Sequence, residues 1–243
     1  MRFFITLSYD GTNYHGWQVQ PNAKSVQKCL NEALTKLLGG ASTECVGAGR
    51  TDAGVHASMM VAHFDTDQKL DEEQFAYRLN RILPGDIAVQ QVRRVESNMH
   101  ARFNAKSRTY HYYVHTSKNP FRRHYATQLH FQPDFERMND AALLLLDTED
   151  FTSFSKLNND QKTNICHVTK AQWVQVEGDL WRFEISANRF LRNMVRAIVG
   201  TLLDVGRGRM DKAGFKAVIE QHNRCSAGES VPGNALFLVD IAY

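Results

Sequence analysis

RFFITLSYDG at residues 2–11 and SVQKCLNEALTKLLGG at residues 25–40 decide how the fold is read. The first is a mostly apolar and β-branched run stopped by Asp10-Gly11, which reads as a strand ending in a turn. In the second, Val26, Cys29, Leu30, Ala33, Leu34, Leu37 and Leu38 recur at the spacing of one helical face. Ser25 is placed to cap that helix and Gly39-Gly40 to stop it.

The same reading extends outward. Short strands are expected near 43–47 and 58–65. A helix over about 71–83 carries Phe75, Leu79, Ile82 and Leu83 on one face and ends before Pro84-Gly85, and a strand follows over 86–95. The second half repeats the order. Strands at 108–116 and 125–131 lead to a helix near 134–146, then to strands 167–176 and 179–186 joined at Gly178-Asp179. Helices at 189–204 and 211–222 and a last strand at 236–242 complete it. Each half reads approximately β-α-β-β-α-β, the ferredoxin-like order, with extra strand material opening the second. The expected fold is α+β, with two pseudo-equivalent halves, 1–104 and 105–243, forming a shared, mainly antiparallel sheet with a central cleft. No linker rich in Gly, Pro or Ser separates them.

Composition narrows the class. At roughly 150 residues per domain, 243 residues make one large domain or two small ones. With 43% hydrophobic and 23% charged residues, and only 15 Gly and 5 Pro, collagen-like and disordered readings are excluded. The four cysteines form no C-x-x-C pair and read as isolated reduced thiols. MRFFITLSYDGT is too short for the apolar core of a signal peptide, and AALLLL at 141–146 falls far short of the ~20 residues of a membrane span. A soluble, cytoplasmic protein without membrane attachment is expected.

Net charge is only +3, but its distribution is uneven. Residues 93–125 hold eight Lys or Arg against Glu96 alone, and 182–212 hold seven against three acids. Such clustering suits a polyanionic partner, although solvated faces produce the same pattern.

The glycines do not make a phosphate loop. Gly11 and Gly16 have P-loop spacing, but Trp17-Gln18 stands where Lys-Ser/Thr is required, and 47–54 gives no G-x-G-x-x-G. No nucleotide cofactor is expected. Asp52, His56, His63 and Asp65 lie close in sequence, but alternation along a strand sends neighbouring side chains to opposite faces, and no metal is expected.

The unusual segment is GAGRTDAGVHA at 47–57, small residues around one cation and one carboxylate. Gly and Ala let a backbone approach a flat ligand closely. An ionised Asp beside Arg can act as a nucleophile. The same residues also suit a turn with an Arg–Asp ion pair and no chemistry. A glycosidase generally needs a second catalytic carboxylate, and none is evident near this loop.

GRTDAGVHA at 49–57 resembles the active-site signature of the tRNA pseudouridine synthase A family. YDGTNYHGWQVQP (9–21) with SVQKCL, HFDT (63–66), LPGDIAV (83–89), HARFNAKSRTYHY (100–112), DFTSF (150–154) and MVRAIVGTLLDVG (194–206) resemble it in the same order, over nearly the whole chain. The resemblance implies a cofactor-free isomerase that turns uridine into pseudouridine at positions 38–40 of the tRNA anticodon stem-loop, working as a homodimer. It places the catalytic aspartate at Asp52 and the substrate-binding residues at Arg50, Tyr110 and Arg196. Arg50 would hold Asp52 charged and help displace the target base, and Tyr110 would stack on the uracil. Taken alone, Tyr110 also reads as an aromatic in a buried strand.

On a helix over 189–204, Arg189, Arg192 and Arg196 share a face, which suits either a phosphate-binding rim or a solvated surface. The sequence departs from the family at Cys166, where an arginine is usual, and at Ala235, where glycine is more usual. The alternative readings are a non-catalytic RNA-binding protein of the same fold and a metal- or carboxylate-dependent hydrolase.

Overall fold

In the computed structural model, which describes residues 1–156 and 163–243, RFFITLSY is strand β1 (Arg2–Tyr9) and the periodic stretch after it is helix α1 (Val26–Leu37). Ser25 Oγ accepts the Lys28 N–H at the start of α1, a cap of the kind that contributes about 1 kcal/mol. Backbone contacts divide the chain into two units, Met1–Lys106 with Phe237–Tyr243, and Ser107–Leu236.

The first unit continues with β2 (Val46–Gly47), β3 (His56–Asp65), α2 (Glu72–Ile82) and β4 (Ile87–Val95). Strand β1 lies between β3 and β4, antiparallel to both, with Phe3 opposite Phe64 and Arg94. Strand β2 pairs antiparallel with one end of β3 at His63 and Ala62. At the other end of β3, His56 and Ala57 pair in parallel with Phe237 and Leu238 of the last strand. Lys106 N–H to the Ala242 carbonyl (2.8 Å) and Tyr243 Oη to the Ala101 carbonyl (2.7 Å) hold that strand in place. The stacked rings of Phe3, Phe64 and Phe75 join the sheet to α2, and Leu30 and Leu34 of α1 are fully buried. Buried apolar area of this kind is the main source of stability.

The second unit begins with β5 (Ser107–His115) and the short β6 (Thr127–Gln128), which pairs in parallel with it. Helix α3 (Phe135–Ala142) follows, then the hairpin β7 (Val168–Glu177) and β8 (Leu180–Ala187), with β8 antiparallel to both β5 and β7. Helices α4 (Met194–Gly206) and α5 (Lys212–Glu220) precede β9 (Leu236–Ala242). The buried side chains of Tyr112, Phe183, Ile185, Phe154 and Phe215 form its core. Both units are therefore mixed α/β with mainly antiparallel sheets.

Several expected boundaries move. The strands near 43–47 and 125–131 shrink to two residues each, and β3 starts at His56 rather than 58. The helix expected to 146 is α-helical only to Ala142, then a 3-10 turn over Leu143–Leu145. The largest correction concerns the helix expected over 189–204, which begins at Met194 and runs to Gly206. Asn193 sits in the left-handed region at φ +67°, where a helix cannot continue, and its Nδ2 donates to Ser230 Oγ at 2.6 Å. The Arg192 carbonyl accepts the Lys156 N–H at 3.1 Å, so its partner comes from another part of the chain.

Candidate active site

Between Gly47, the end of β2, and His56, the start of β3, the chain makes a loop with little freedom. The Ala48 N–H donates to the Val61 carbonyl at 2.8 Å. The Val55 N–H donates to the Asp52 carbonyl at 3.2 Å, closing a turn in which Gly54 takes φ +75°. Thr51 is buried, with its Oγ1 2.9 Å from Tyr9 Oη, and its carbonyl accepts the Trp17 N–H at 3.2 Å. Arg50 is exposed on one side of it and Asp52 half-exposed on the other.

Support comes from the segment after β1. The Gly54 N–H donates to the Tyr14 carbonyl at 3.2 Å. Gly16 has φ +90°, and a Cβ there would stand 2.3 Å from the Thr51 carbonyl oxygen. Only glycine allows that approach, because it combines the left-handed backbone with the absence of a side chain. The Tyr9 and Trp17 rings, with centroids 6.1 Å apart, are buried beneath. Tyr9, Gly16, Trp17 and Thr51 are thus positioning residues that the reading of the sequence did not single out. The usable signal is a glycine between aromatics in YHGW, which marks a tight backbone crossing.

Asp52 and Arg50 therefore project from one backbone-fixed loop of the first unit. A carboxylate presented this way can attack an electrophilic carbon or accept a proton with little reorganisation.

Tyr110 and Arg196 belong to the second unit. Tyr110 lies in β5, 8% exposed, with its ring edge-on to Phe190 at 5.1 Å. Arg108, Tyr110, Tyr112 and Val114 alternate onto the same buried face of that strand. Arg108 Nη1 donates to the Asn188 carbonyl at 2.7 Å, fastening the strand's start. Arg196 stands in the first turn of α4. Its Nε donates to the Val231 carbonyl at 2.7 Å, and its own carbonyl accepts the Val231 N–H at 3.2 Å. Its positive charge acts on the Tyr112 phenol, which burial nonetheless pushes well above the ordinary tyrosine pKa. Arg196 is thereby clamped at both its side chain and its backbone against Val231.

The expected arginine stripe is corrected here. Arg189 and Arg192 precede α4, so the three arginines do not share a helical face. Their spacing fitted a helix that the left-handed Asn193 interrupts.

Of Asp52, His56, His63 and Asp65, the last three are directed to separate partners. His56 Nδ1 accepts the Gly11 N–H at 3.0 Å. His63 Nδ1 accepts the Ala101 N–H at 3.2 Å, and burial, with Arg2 and His100 nearby, pushes its pKa down to about 4. Asp65 takes a two-point contact from Arg2, at 2.9 and 2.7 Å, which lowers its pKa. Among the described residues, no group of three or more His, Cys, Asp or Glu side chains is arranged to hold a metal ion.

Residues 5–104 and 141–243 match a family model described as tRNA pseudouridine synthase. The chain is 59% identical to tRNA pseudouridine synthase A of Bacteroides thetaiotaomicron over 244 residues, covering 100% of this chain and 90% of that protein. It is 49% identical to the protein of the same name from Porphyromonas gingivalis, covering 100% of this chain and 97% of that one. Against the Bacillus subtilis protein of that name the identity is 39%, with 100% and 99% covered.

Proposed function

The chain belongs to the tRNA pseudouridine synthase family and isomerises uridine in tRNA, and from that premise we propose that Asp52 is the catalytic nucleophile, acting on the anticodon stem-loop at positions 38–40. The observation that carries the assignment is the loop over 48–55. It buries Thr51, fixes the backbone on both sides of Asp52 and leaves the carboxylate half-exposed.

The reaction breaks the N1–C1′ glycosidic bond, turns the uracil and joins C5 to C1′. The C5 proton is lost and N1 gains one, so atoms balance without an external oxidant, reductant or group donor. Asp52 supplies the electron pair, either to the ribose or to the base, or takes a ribose proton. Extruding the uridine from its stack costs a few kcal/mol, which Arg50 and the Tyr110 ring offset, the first by filling the vacated place and the second by stacking on the uracil. Arg196, held by Val231, is the third substrate-binding residue of the proposal. The shared sheet and central cleft implied by the sequence, the homodimer and a cytoplasmic location are parts of the same proposal.

The test is tritium release from tRNA carrying [5-³H]uridine, with wild type and Asp52→Ala side by side in EDTA. Wild type is expected to release tritium. Asp52→Ala is expected to lose roughly 10⁴-fold or more in rate while its tRNA affinity stays within a few fold, because phosphate contacts dominate binding. Substantial activity in the variant removes Asp52 from its role. Tight tRNA binding with no release by either protein points instead to a non-catalytic RNA-binding protein.

A further inference from the structure

Phe121 is 88% exposed, more than any other large apolar side chain among the described residues. It sits in SKNPFRRHY at 117–125, inside a stretch, 97–133, that holds six Lys or Arg and no Asp or Glu. A single exposed apolar residue needs no explanation on its own. This one stands on a loop fastened at many points.

Asp179, in the turn between β7 and β8, accepts the Thr116 N–H at 3.1 Å, the Ser117 N–H at 2.6 Å and Arg122 Nη1 at 2.9 Å. These contacts, the Ser117 amide foremost, hold its carboxyl far below the usual carboxylate range. The Phe121 N–H donates to Asn119 Oδ1 at 2.9 Å. The Tyr125 and Ala126 N–H groups both donate to the Arg122 carbonyl, at 3.0 and 2.9 Å. Arg123 Nη1 donates to the Pro120 carbonyl at 2.6 Å. Asp179 neutralises Arg122, whereas exposed Lys118 and Arg123 pair with no carboxylate among the described residues.

We propose that this loop is a second RNA contact, in which an unpaired nucleotide of the substrate stacks its base on the Phe121 ring while Lys118 and Arg123 hold the flanking phosphates. The inference rests on the tRNA-acting reading and adds a site to it. An exposed aromatic ring flanked in sequence by a lysine and an arginine that meet no carboxylate among the described residues suits single-stranded nucleic acid, since every base offers a π-face and every linkage a negative charge. A base inside a duplex already has both faces covered, so the occupant is an unstacked nucleotide. A second copy of this chain is the rival occupant, and self-association measured by sedimentation separates the two. Pre-fastening the loop lowers the ordering cost of binding.

The experiment measures KM and kcat by tritium release, and Kd by filter binding, on full-length chain with an unmodified tRNA transcript. Phe121→Ala is expected to raise KM and Kd about tenfold, with the effect on binding rather than on kcat. Phe121→Trp is expected to restore both. Lys118→Ala and Arg123→Ala are each expected to lower the salt slope of binding by about one, whereas Phe121→Ala leaves that slope unchanged.

Wild-type KM and Kd in Phe121→Ala overturn the proposal. So does a variant whose only change, by sedimentation, is in self-association, because the patch then meets another copy of the chain. If wild type binds tRNA and makes no pseudouridine, yet Phe121→Ala still weakens binding, the reaction assignment fails and this contact stands.

Discussion

The loop that carries Asp52 and the start of α4, which carries Arg196, solve one problem in opposite ways. Each must present a charged side chain from a backbone that cannot drift. Around Asp52 the constraints come from within the first unit: a buried Thr51, the turn closed on Gly54 and the Gly16 backbone laid against the Thr51 carbonyl. Around Arg196 the chain looks helical in sequence, yet contacts from distant segments of the second unit override the pattern. Lys156 takes the Arg192 carbonyl, Ser230 takes the Asn193 side chain, and the 228–231 segment lies across α4. A loop can hold a functional group by its own small residues, whereas a helix start needs outside partners to fix where it begins.

Gly16→Ala puts the greatest strain on this comparison. It must adopt φ +90° and place a Cβ 2.3 Å from the Thr51 carbonyl, so the Asp52 loop moves. A loss of about 3 kcal/mol in urea unfolding is expected, with a fall in kcat beyond tenfold. Unchanged kcat would show that the loop holds Asp52 without this crossing.

Gly200→Ala tests the other side. In an exposed helix, Ala exceeds Gly by about 1 kcal/mol. Here its Cβ would stand 1.8 Å from the Glu229 carbonyl, so the sign reverses and about 2 kcal/mol is lost. The effect on KM should exceed that on kcat if the displaced strap serves mainly to hold Arg196 for binding.

The smallest expected effect sharpens the cause of the late helix start. Asn193→Gly keeps the left-handed residue and should be within about 0.5 kcal/mol of wild type, whereas Asn193→Ala should cost about 1 kcal/mol. Equal losses in the two variants would assign the boundary to the Asn193–Ser230 hydrogen bond instead.

Most elements were legible because their signals are local. The apolar, β-branched run RFFITLSY and the apolar face from Val26 to Leu38 located β1 and α1 to within a residue, and the Leu83-Pro84 step ended α2 where steric conflict requires. The Asp52 loop was conspicuous by composition, but its support was not. Tyr9, Gly16 and Trp17 lie more than thirty residues away in sequence, and nothing in their own pattern names Thr51 as their partner. The arginines failed for the complementary reason. Their spacing was genuine, but periodicity cannot register a left-handed residue that a remote serine stabilises.

The sequence by itself determined where strands and helices could form, which residues could carry charge and chemistry, and, through its motifs, the family. Those depend on propensity, spacing and composition, properties that neighbouring residues settle among themselves. The tertiary structure decided where α4 begins, which side of Thr51 faces inward, which strands β3 pairs with and which arginine the 228–231 segment clamps. Each of these is a choice among backbone hydrogen-bond partners far apart in the chain, and only the folded packing brings those partners within bonding distance.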